Sequence, residues 1–575
     1  MSADGDMVAY TNSVSSELEA SNNIKFNDKN YTFITDSTSN SGVFSSGQVQ
    51  FDLSSLSSQS QWISLNEAII ELPIKITAKL TQAVVTGSIT NAKCELNSFI
   101  TKNSWNQWIN SCQLIINGQT VQTAQNFENI SATFKMLTEF SQDSVQKHAS
   151  TLAFAIDDCT DDSDVDTTYQ TSKGANNAVF SSFTNSVVGL DNTSNQSTFF
   201  NRGTKSRSTI TNIDINPSSA TFATTILGAS QMKASGLHNV SCRGTTGSNT
   251  AGDVLYSANY MATIRLRDIC SVENFPLVKN LKGFLYLGLN SSSVQVTGGI
   301  GGSAITPSAV SITPTSGMTT PFTINNSGTS GLSCGWSSTS TVPSIITITA
   351  GANGSTTDDY TNAGPIITSA RLLVPYYLAN PKADSALTMA NHYFTTLEKI
   401  VNPITVAAGA STNYTITVGV PNAERLLLLP MWQNLGGTSN LGNPELSVAE
   451  TVPGSSGFHA NLLNFQVYLG NKPIYQYPIN YGFEQWIQEN SQVGHFGSNV
   501  NEITSGLLSK SQFEQNHRYY TVDLSRRMDS EDGSSKSVQV SFTNPSASYG
   551  MKVIAIVYYK KKWIINTGTS TLSSV

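Results

Sequence analysis

Charged residues, long apolar runs and basic clusters are all scarce in this chain of 575 residues. Only 12% of the residues are charged, and the formal net charge is −7, which argues against a dedicated nucleic-acid-binding protein with a concentrated basic face. No apolar run approaches the roughly 18 residues of a membrane-spanning helix. The N-terminal "MSADGDMVAY" lacks the apolar core of a secretory signal peptide, so we expect a chain that is not secreted.

Cysteine is also sparse, and its spacing excludes a disulfide framework. The chain contains no CxxC motif, and its cysteines lie far apart. This usage predicts synthesis in a reducing compartment. The six positions are Cys94, Cys112, Cys159, Cys242, Cys270 and Cys334.

Motifs for catalysis and for cofactor binding are missing. There is no GxxxxGK[ST], HExxH, GxSxG or paired-cysteine zinc spacing, and the six histidines are isolated from one another. "GGIGG" (298–302) has no helix pattern behind it and is interpreted as a flexible loop tip. The acidic run from Asp157 to Asp166 lacks the glycine and closing glutamate of an EF-hand, which favours a solvated loop. The sequence therefore predicts no catalytic residues, no cofactor and no metal site.

Strand patterns dominate the sequence. Alternation in "GQVQFDL" (47–53) and "KGFLYLGL" (282–289), and the nearly continuous apolar "SARLLVPYYL" (369–378), indicate an all-β protein with buried sheets. Residues 141–260 and 291–365 interrupt these patterns with Ser, Thr, Asn and Gly. We interpret both as long loop insertions on the outer surface.

Four elements occur twice in the same order, which indicates a tandem duplication of one β-unit. An apolar strand comes first, a strand–turn–strand device second, a segment opened by Phe-Glu with one apolar helical face third, and a core strand last. A single pair could be coincidence, because Asn-Gly hairpins are common, but the ordered set favours duplication. The pairs are 65–73 with 421–430, 113–121 with 466–474, 127–137 with 483–493, and 371–378 with 553–560.

Two segments combine basic residues with aromatic residues. "HRYYTVDLSRRM" (517–528) could stack on bases and contact phosphates, but it alternates like an ordinary strand. "YYKKKW" (558–563) places Lys560, Lys561 and Lys562 at the predicted end of a core strand. These lysines could face nucleic acid or a membrane surface, although a charged strand end that discourages edge-to-edge pairing is the favoured interpretation.

The whole pattern resembles the double jelly-roll major capsid proteins of virophages and polinton-like viruses, in the adenovirus, tectivirus and large DNA virus lineage. "SCQLIINGQTVQTAQNFENISATFKML" (111–137) is similar to the segment in which these proteins run a strand into a Gly-containing hairpin and then a helix. "ANHYFTTLEK" (390–399) resembles the link between their rolls, and "MKVIAIVYYKKKWIINTG" (551–568) their final core strand and tail.

The resemblance implies two tandem eight-stranded jelly rolls with short helices and long loop insertions. The expected order is a flexible N-terminal arm, a first roll carrying both insertions, a linker and a second roll. Their expected limits are 1–27, 28–378, 379–388 and 389–575.

The resemblance further implies a non-enzymatic major capsid protein. Such a subunit trimerises into pseudo-hexagonal capsomers of an icosahedral DNA-virus shell, and the insertions form outward towers. The expected partners are other copies of the chain, penton and minor capsid proteins, and an internal membrane or packaged DNA near Lys560–Lys562. The expected location is the virion, after synthesis in the host cytoplasm or nucleus.

Two other functions are compatible with a β-rich chain that has neutral polar loops. A secreted or surface β-sandwich adhesin or carbohydrate-binding protein would suit the loops, but it conflicts with the missing signal peptide and the ordered duplication. A β-sandwich hydrolase would need carboxylates clustered on a cleft, and the sequence does not point to such a cluster.

Overall fold

Strands make up most of the ordered elements of the protein. The computed structural model describes residues 26–37, 44, 47–58, 61–82, 89–94, 99–101, 103–154, 213–214, 237–242, 254–290, 292–301, 304–314, 321–324, 336–338, 343–352, 369–388, 391–432, 460–492, 506–515, 517–525 and 533–574. No helix in these ranges is both long enough and apolar enough to cross a membrane.

The part of the chain up to residue 379, here called the first half, contributes eighteen of the strands found in these ranges. In chain order they are β1 (Phe26–Thr35), β2 (Gln48–Asp52), β3 (Trp62–Ile63), β4 (Ile69–Gln82), β5 (Ile89–Cys94), β6 (Phe99–Thr101), β7 (Ile109–Ile116), β8 (Gln119–Gln122), β9 (Ile213–Asp214), β10 (Leu237–Cys242), β11 (Val254–Arg265), β12 (Gly283–Leu289), β13 (Ser292–Gly301), β14 (Ala304–Pro314), β15 (Phe322–Ile324), β16 (Trp336–Ser338), β17 (Pro343–Ala352) and β18 (Arg371–Ala379).

The second half contributes nine strands, and six α-helices are spread over the whole described chain. The strands are β19 (Asn391–Val406), β20 (Ser411–Pro421), β21 (Ala423–Trp432), β22 (Leu463–Leu469), β23 (Lys472–Pro473), β24 (Tyr520–Asp523), β25 (Ser535–Thr543), β26 (Met551–Asn566) and β27 (Leu572–Ser574). The helices are α1 (Glu128–Glu139), α2 (Gln142–Leu152), α3 (Leu266–Ile269), α4 (Pro381–Thr388), α5 (Phe483–Gln492) and α6 (Lys510–Gln515), with 3₁₀ turns at Leu53–Ser58 and Trp105–Trp108.

Eight strands of the first half form two antiparallel sheets with a jelly-roll order. One sheet runs β1–β18–β4–β11, and the other runs β2–β12–β7–β8. When these eight strands alone are numbered in chain order, the first sheet contains the first, eighth, third and sixth strands. The second sheet contains the second, seventh, fourth and fifth strands. This interleaving of eight strands in two sheets defines a jelly roll. The inward face of each sheet is apolar and fully buried, as Phe51, Ile70, Leu114 and Leu372 illustrate.

The second half repeats the same order. Its sheets run β19–β26–β21–β24 and β20–β25–β22–β23, which again place first, eighth, third and sixth against second, seventh, fourth and fifth. The prediction of two tandem eight-stranded jelly rolls is confirmed. Every predicted repeat pair falls on equivalent elements: the third strands, the hairpins between fourth and fifth strands, helices α1 and α5, and the eighth strands.

The two hairpin turns also adopt equivalent backbone conformations. Asn117 and Gly118 have φ angles of 48° and 79°, and Gly470 and Asn471 have φ angles of 55° and 66°. Two consecutive left-handed residues characterise the type I′ turn, whose twist matches that of the flanking strands. Asn and Gly tolerate this conformation best, which explains why this residue pair recurs in both halves.

The described parts of the two insertions contain strands. The segment between β8 and β11 contains α1, α2, β9 and β10. The segment between β12 and β18 contains β13–β17, and β17 pairs with the far end of β4, from Ile74 to Gln82. Residues 298–301, interpreted from sequence as a loop tip, instead form the end of β13 and pair with β14, and Gly298 and Gly299 also pair with β17.

Other predictions about organisation have mixed outcomes. Residues 391–399, which resembled a link between the rolls, lie in β19 and pair along their length with β26, while helix α4 occupies 381–388. The acidic run 157–166 and residues 1–25 lie outside the described residues. The limits of the arm, rolls and linker, and the outer position of the insertions, stay predictions.

Candidate functional site

The candidate functional site in the described structure is the interface between the two rolls. Helix α1 lies at its centre. The helix follows β8 of the first roll, yet its apolar face packs into the core of the second roll. Phe134 is fully buried, with its ring 6.0 Å from that of Trp486 and 5.4 Å from that of Tyr519. Leu137 extends the contact through its carbonyl, which accepts a 2.8 Å hydrogen bond from Leu507 N.

At the opposite end of the interface, side chains of the second roll pack into the core of the first roll. Phe394, Trp563, Ile565 and Leu572 belong to the core cluster of the first roll, although they lie on β19, β26 and β27. The Phe394 ring meets Phe275 edge-on at 5.2 Å.

Backbone and amide hydrogen bonds continue the contact beyond β26. Lys279 N donates to Thr567 O at 2.7 Å, and Asn280 Nδ2 donates to Gly568 O at 2.8 Å. Each roll therefore completes its core with side chains of the other.

Between these two apolar contacts lies a cavity of about 80 Å³ with charged walls. Helix α1, helix α3 with the connection after it, and strands β19 and β26 line it. Five acidic and four basic residues line it, a high local density of charge for a chain in which only 12% of the residues are charged. The charged lining residues are Glu128, Lys135, Glu139, Arg267, Asp268, Glu273, Glu398, Lys399 and Lys560.

An ion pair joins the two rolls at the first turn of α1. Lys399 Nζ lies 2.5 Å from Glu128 Oε2, and both side chains are only 7% exposed. Burial raises the pKa of Glu128, and Lys399 opposes that shift. Ser131, on the next turn, lies 2.7 Å from the hydroxyl of Tyr558, so polar contacts between rolls continue along the helix.

A second group of charged residues surrounds the last turns of α1. Lys135 forms an ion pair with Glu273 and donates at 2.7 Å to Arg267 O, while Arg265 pairs with Asp268 at 2.8 Å. The pKa of Glu139 is raised to about 8, mainly by burial and also by nearby Glu273 and Asp268, while Lys135 and Arg265 oppose the shift. Glu139 therefore carries a proton at neutral pH.

The three lysines 560–562 lie within strand β26 and not at its end; Lys560 lines the inter-roll cavity, and Lys562 is exposed. Strand β26 continues through them to Asn566 and pairs with β19 along its length. Lys560 Nζ lies 2.9 Å from Glu424, and Lys561 Nζ lies 3.7 Å from Glu398. The interpretation of a charged strand end or tail is therefore wrong, because glutamates from other strands neutralise charges that look unpaired in the sequence.

The other basic–aromatic segment is also structural where it is described. Tyr520–Asp523 form the buried strand β24, and Arg518 Nε donates to Glu514 O at 2.8 Å. Residues 526–528 lie outside the described residues. The fully buried His517 stacks on Tyr519 with a 6.3 Å separation of ring centroids.

Among the residues that the structure describes, no three His, Cys, Asp or Glu side chains are arranged to hold a metal ion. Five carboxylates do line the inter-roll cavity, although no cluster was expected from the sequence. Lysine or arginine pairs with Glu128, Asp268, Glu273 and Glu398, and the pKa of Glu139 keeps that carboxyl protonated. The arrangement neutralises charge inside an interface; it does not present a free acid–base pair to a cleft.

A weak sequence signal for this site was present. Glu128, Lys135 and Glu139 are spaced by seven and four residues, so they share one face of α1. Charged residues grouped on one helix face of a charge-poor chain indicate a buried polar contact, but their partners are distant in the sequence. Lys399 on β19 lies 271 residues from Glu128, and Glu273 lies 138 residues from Lys135.

No family model and no curated protein matches the sequence. Among solved structures, the mavirus major capsid protein crystal structure is similar over 95% of this chain and 90% of that chain, with a TM-score of 0.45 and 10% identity. The cryo-EM structure of the Sputnik virophage matches over 96% and 89%, with a TM-score of 0.44 and 11% identity. The Faustovirus major capsid protein matches over 93% and 90%, with a TM-score of 0.42 and 8% identity.

Proposed function

We propose that this chain is a structural subunit of a viral shell, a major capsid protein without catalytic activity. The observation that carries the proposal is the duplication itself: two jelly rolls of identical strand order, locked side by side by exchanged core residues. A unit with two similar halves offers two similar walls for lateral contact.

The building block would be a homotrimer. Three such subunits around a threefold axis present six similar walls, a near-hexagonal outline that tiles a lattice with three chains instead of six. Closed cyclic symmetry is the usual state of soluble homo-oligomers. The trimers would form capsomers of an icosahedral DNA-virus shell, with the insertions as outward towers.

Further partners and the location follow from this role. Penton and minor capsid proteins would close and fasten the shell, and an internal membrane or packaged DNA would lie beneath it. Lys560 and Lys561 are paired with glutamates of the same chain, so the inner contact is not assigned to them. The protein would be located in the virion after synthesis in the host cytoplasm or nucleus.

Native mass spectrometry of the purified chain tests the proposal. We expect a species of three chain masses, each 61.6 kDa, and uniform hexagonal particles of the same sample in electron micrographs. Extensive apolar contacts between subunits should make the isolated monomer poorly stable. A monodisperse, stable monomer at micromolar concentration and neutral pH would refute the proposal.

A further inference from the structure

Equivalent sheets of the two rolls differ in how much of their surface is buried. In the second roll, residues 426–429 on β21 and 553–557 on β26 are all fully buried. Successive strand residues point to opposite faces of a sheet, so both faces of this sheet are covered. On β18 of the first roll Leu372 is fully buried, but Arg371 is exposed and Leu373 is only half-buried. One face of the first-roll sheet is therefore exposed.

Helix α1 of the first roll supplies the outer cover of the second-roll sheet. Lys399 on β19 lies directly opposite Tyr558 on β26, so their side chains share one face. Both contact α1: Lys399 pairs with Glu128, and the Tyr558 hydroxyl lies 2.7 Å from Ser131 Oγ. The cover of this face thus comes from the helix that follows the fifth strand of the other roll.

The same combination of lysine and tyrosine occurs on the equivalent strands of the first roll. Lys29 on β1 lies directly opposite Tyr377 on β18. Further along β1, on the same face, Tyr31 is 57% exposed and Phe33 is 63% exposed. Phe33 lies opposite the half-buried Leu373, so an apolar row crosses the two strands. We call the surface formed by these five residues the open face; exposed aromatic side chains grouped in this way indicate an interaction site.

Helix α5 is the second-roll counterpart of α1. Each helix follows the fifth strand of its roll, and each has a Phe-Glu pair at its start, with Glu128 in α1 and Glu484 in α5. Glu128 is buried between the rolls, whereas Glu484 is exposed. Beside it on the same side of the helix lie the exposed Gln488 and the half-buried Phe483 and Ile487. This side of α5 is partly exposed to solvent in the single chain.

We propose that helix α5 of a second copy of this chain covers the open face of the first roll. Glu484 of the second copy then pairs with Lys29, in the way that α1 pairs with Lys399 inside one chain. The half-buried apolar side of the helix lies against Tyr31 and Phe33. The contact of a first-roll helix with a second-roll sheet is thereby repeated between chains, as a second-roll helix on a first-roll sheet.

This inference rests on the homotrimer proposed above and names the two surfaces that join its subunits. Each copy has one open face and one α5 helix, so the contact is heterologous and runs head to tail. Heterologous contacts close into a ring when the rotation between copies allows it. In a trimer, three roll-to-roll contacts within chains then alternate with three between chains.

The charges at the proposed contact are complementary. Within one chain Lys29 forms an ion pair with Glu67, and Glu484 forms an ion pair with Lys510 at 2.9 Å. The four side chains are between 39% and 76% exposed, so each pair contributes little to stability and can exchange partners. When the two surfaces meet, two lysines and two glutamates lie together, and no charge is buried without a partner.

Cysteine cross-linking of the full-length chain tests which surfaces meet. In a double variant carrying Lys29→Cys and Glu484→Cys, mild oxidation should join separate chains, so a non-reducing gel should show species of two and three chain masses. Neither single variant should give them, because a head-to-tail contact brings position 29 to position 484 and not to itself. A double variant that is trimeric by native mass spectrometry but gives no cross-linked chains would overturn the inference.

Substitution of the open face tests its contribution to assembly. Tyr31→Asp combined with Phe33→Asp should lower the trimer fraction at a fixed micromolar concentration by roughly tenfold or more, since both exposed rings lie at the centre of the contact. Val418→Asp is the matched control, because Val418 is 89% exposed on β20 and lies outside the open face. The control should stay trimeric.

The outcomes separate this inference from the proposed function. If the unmodified chain is trimeric and the variant with both aspartates on β1 is equally so, the open face is not the subunit contact, while the capsid role stands. A stable monomer of the unmodified chain would overturn both.

Discussion

Replacing Glu139 by Gln should remove a specific loss of stability at alkaline pH. In the folded protein burial holds the pKa of this carboxyl at about 8, against 4.5 for an ordinary glutamate. Between those two values the folded state binds a proton that the unfolded state has lost. The contribution of Glu139 to the free energy of unfolding is therefore fully present below about pH 4.5 and is lost as the pH rises through 8.

The size of the effect follows from the difference between the two pKa values. Each pKa unit corresponds to about 1.4 kcal/mol, so the full difference is worth up to about 5 kcal/mol above pH 8, and about 3 kcal/mol at pH 7. The glutamine side chain cannot ionise, so Glu139→Gln should be more stable than the unmodified chain at pH 9 and similar to it near pH 4.5. The groups that face this position, Lys135, Arg265, Asp268 and Glu273, are unchanged in the variant.

Denaturant unfolding of both proteins at several pH values between 4.5 and 9 measures the difference. Glu484→Gln is the matched control, because Glu484 lies on helix α5 at the solvent surface and its pKa is lowered by Lys510 and by backbone hydrogen bonding. The control should gain nothing at alkaline pH. Parallel pH profiles for Glu139→Gln and the unmodified chain would refute the reasoning.

Two further substitutions test the interface and the first roll. Lys399→Met leaves the Glu128 carboxylate buried without its partner and should cost about 3–5 kcal/mol at pH 7, whereas adding Glu128→Gln should restore a large part; additive costs in a double-mutant cycle would contradict the pair. Gly283→Ala should cost several times more than Gly409→Ala in thermal unfolding. Both residues have positive φ, but an added Cβ at Gly283 would lie 1.9 Å from Ile115 O, while that at Gly409 meets open space. Equal costs for the two glycine variants would show that β7 and β12 are not packed this closely.

Local features of the fold could be predicted from the sequence because they depend on neighbouring residues. The two type I′ hairpins follow from the Asn and Gly residues at 117–118 and 470–471, and helix α1 follows from the 3.6-residue period of Phe127, Ile130, Phe134 and Leu137. The recurrence of these elements in the same order along the chain then indicates the duplication.

Long-range partners could not be predicted in the same way. An apolar stripe shows that α1 is buried, but not that Phe134 packs against Trp486 of the other roll. Likewise, three successive lysines indicated the end of a strand, because nothing in the local sequence shows that Glu424 and Glu398 neutralise Lys560 and Lys561. The interface is made of such distant pairs, which explains why the fold was more accessible than the candidate site.

The exchange of core residues between the rolls also sets an order of events during translation. Trp563, Ile565 and Leu572 fill the core of the first roll, so that core stays incomplete until the ribosome has made nearly the whole chain. The first roll should therefore remain a loose intermediate while the second is being synthesised, and a nascent chain stopped before residue 563 should expose apolar surface to chaperones and proteases. Only chains that have been translated through this segment can complete both cores, which gives the cell a point at which truncated products can be recognised and removed.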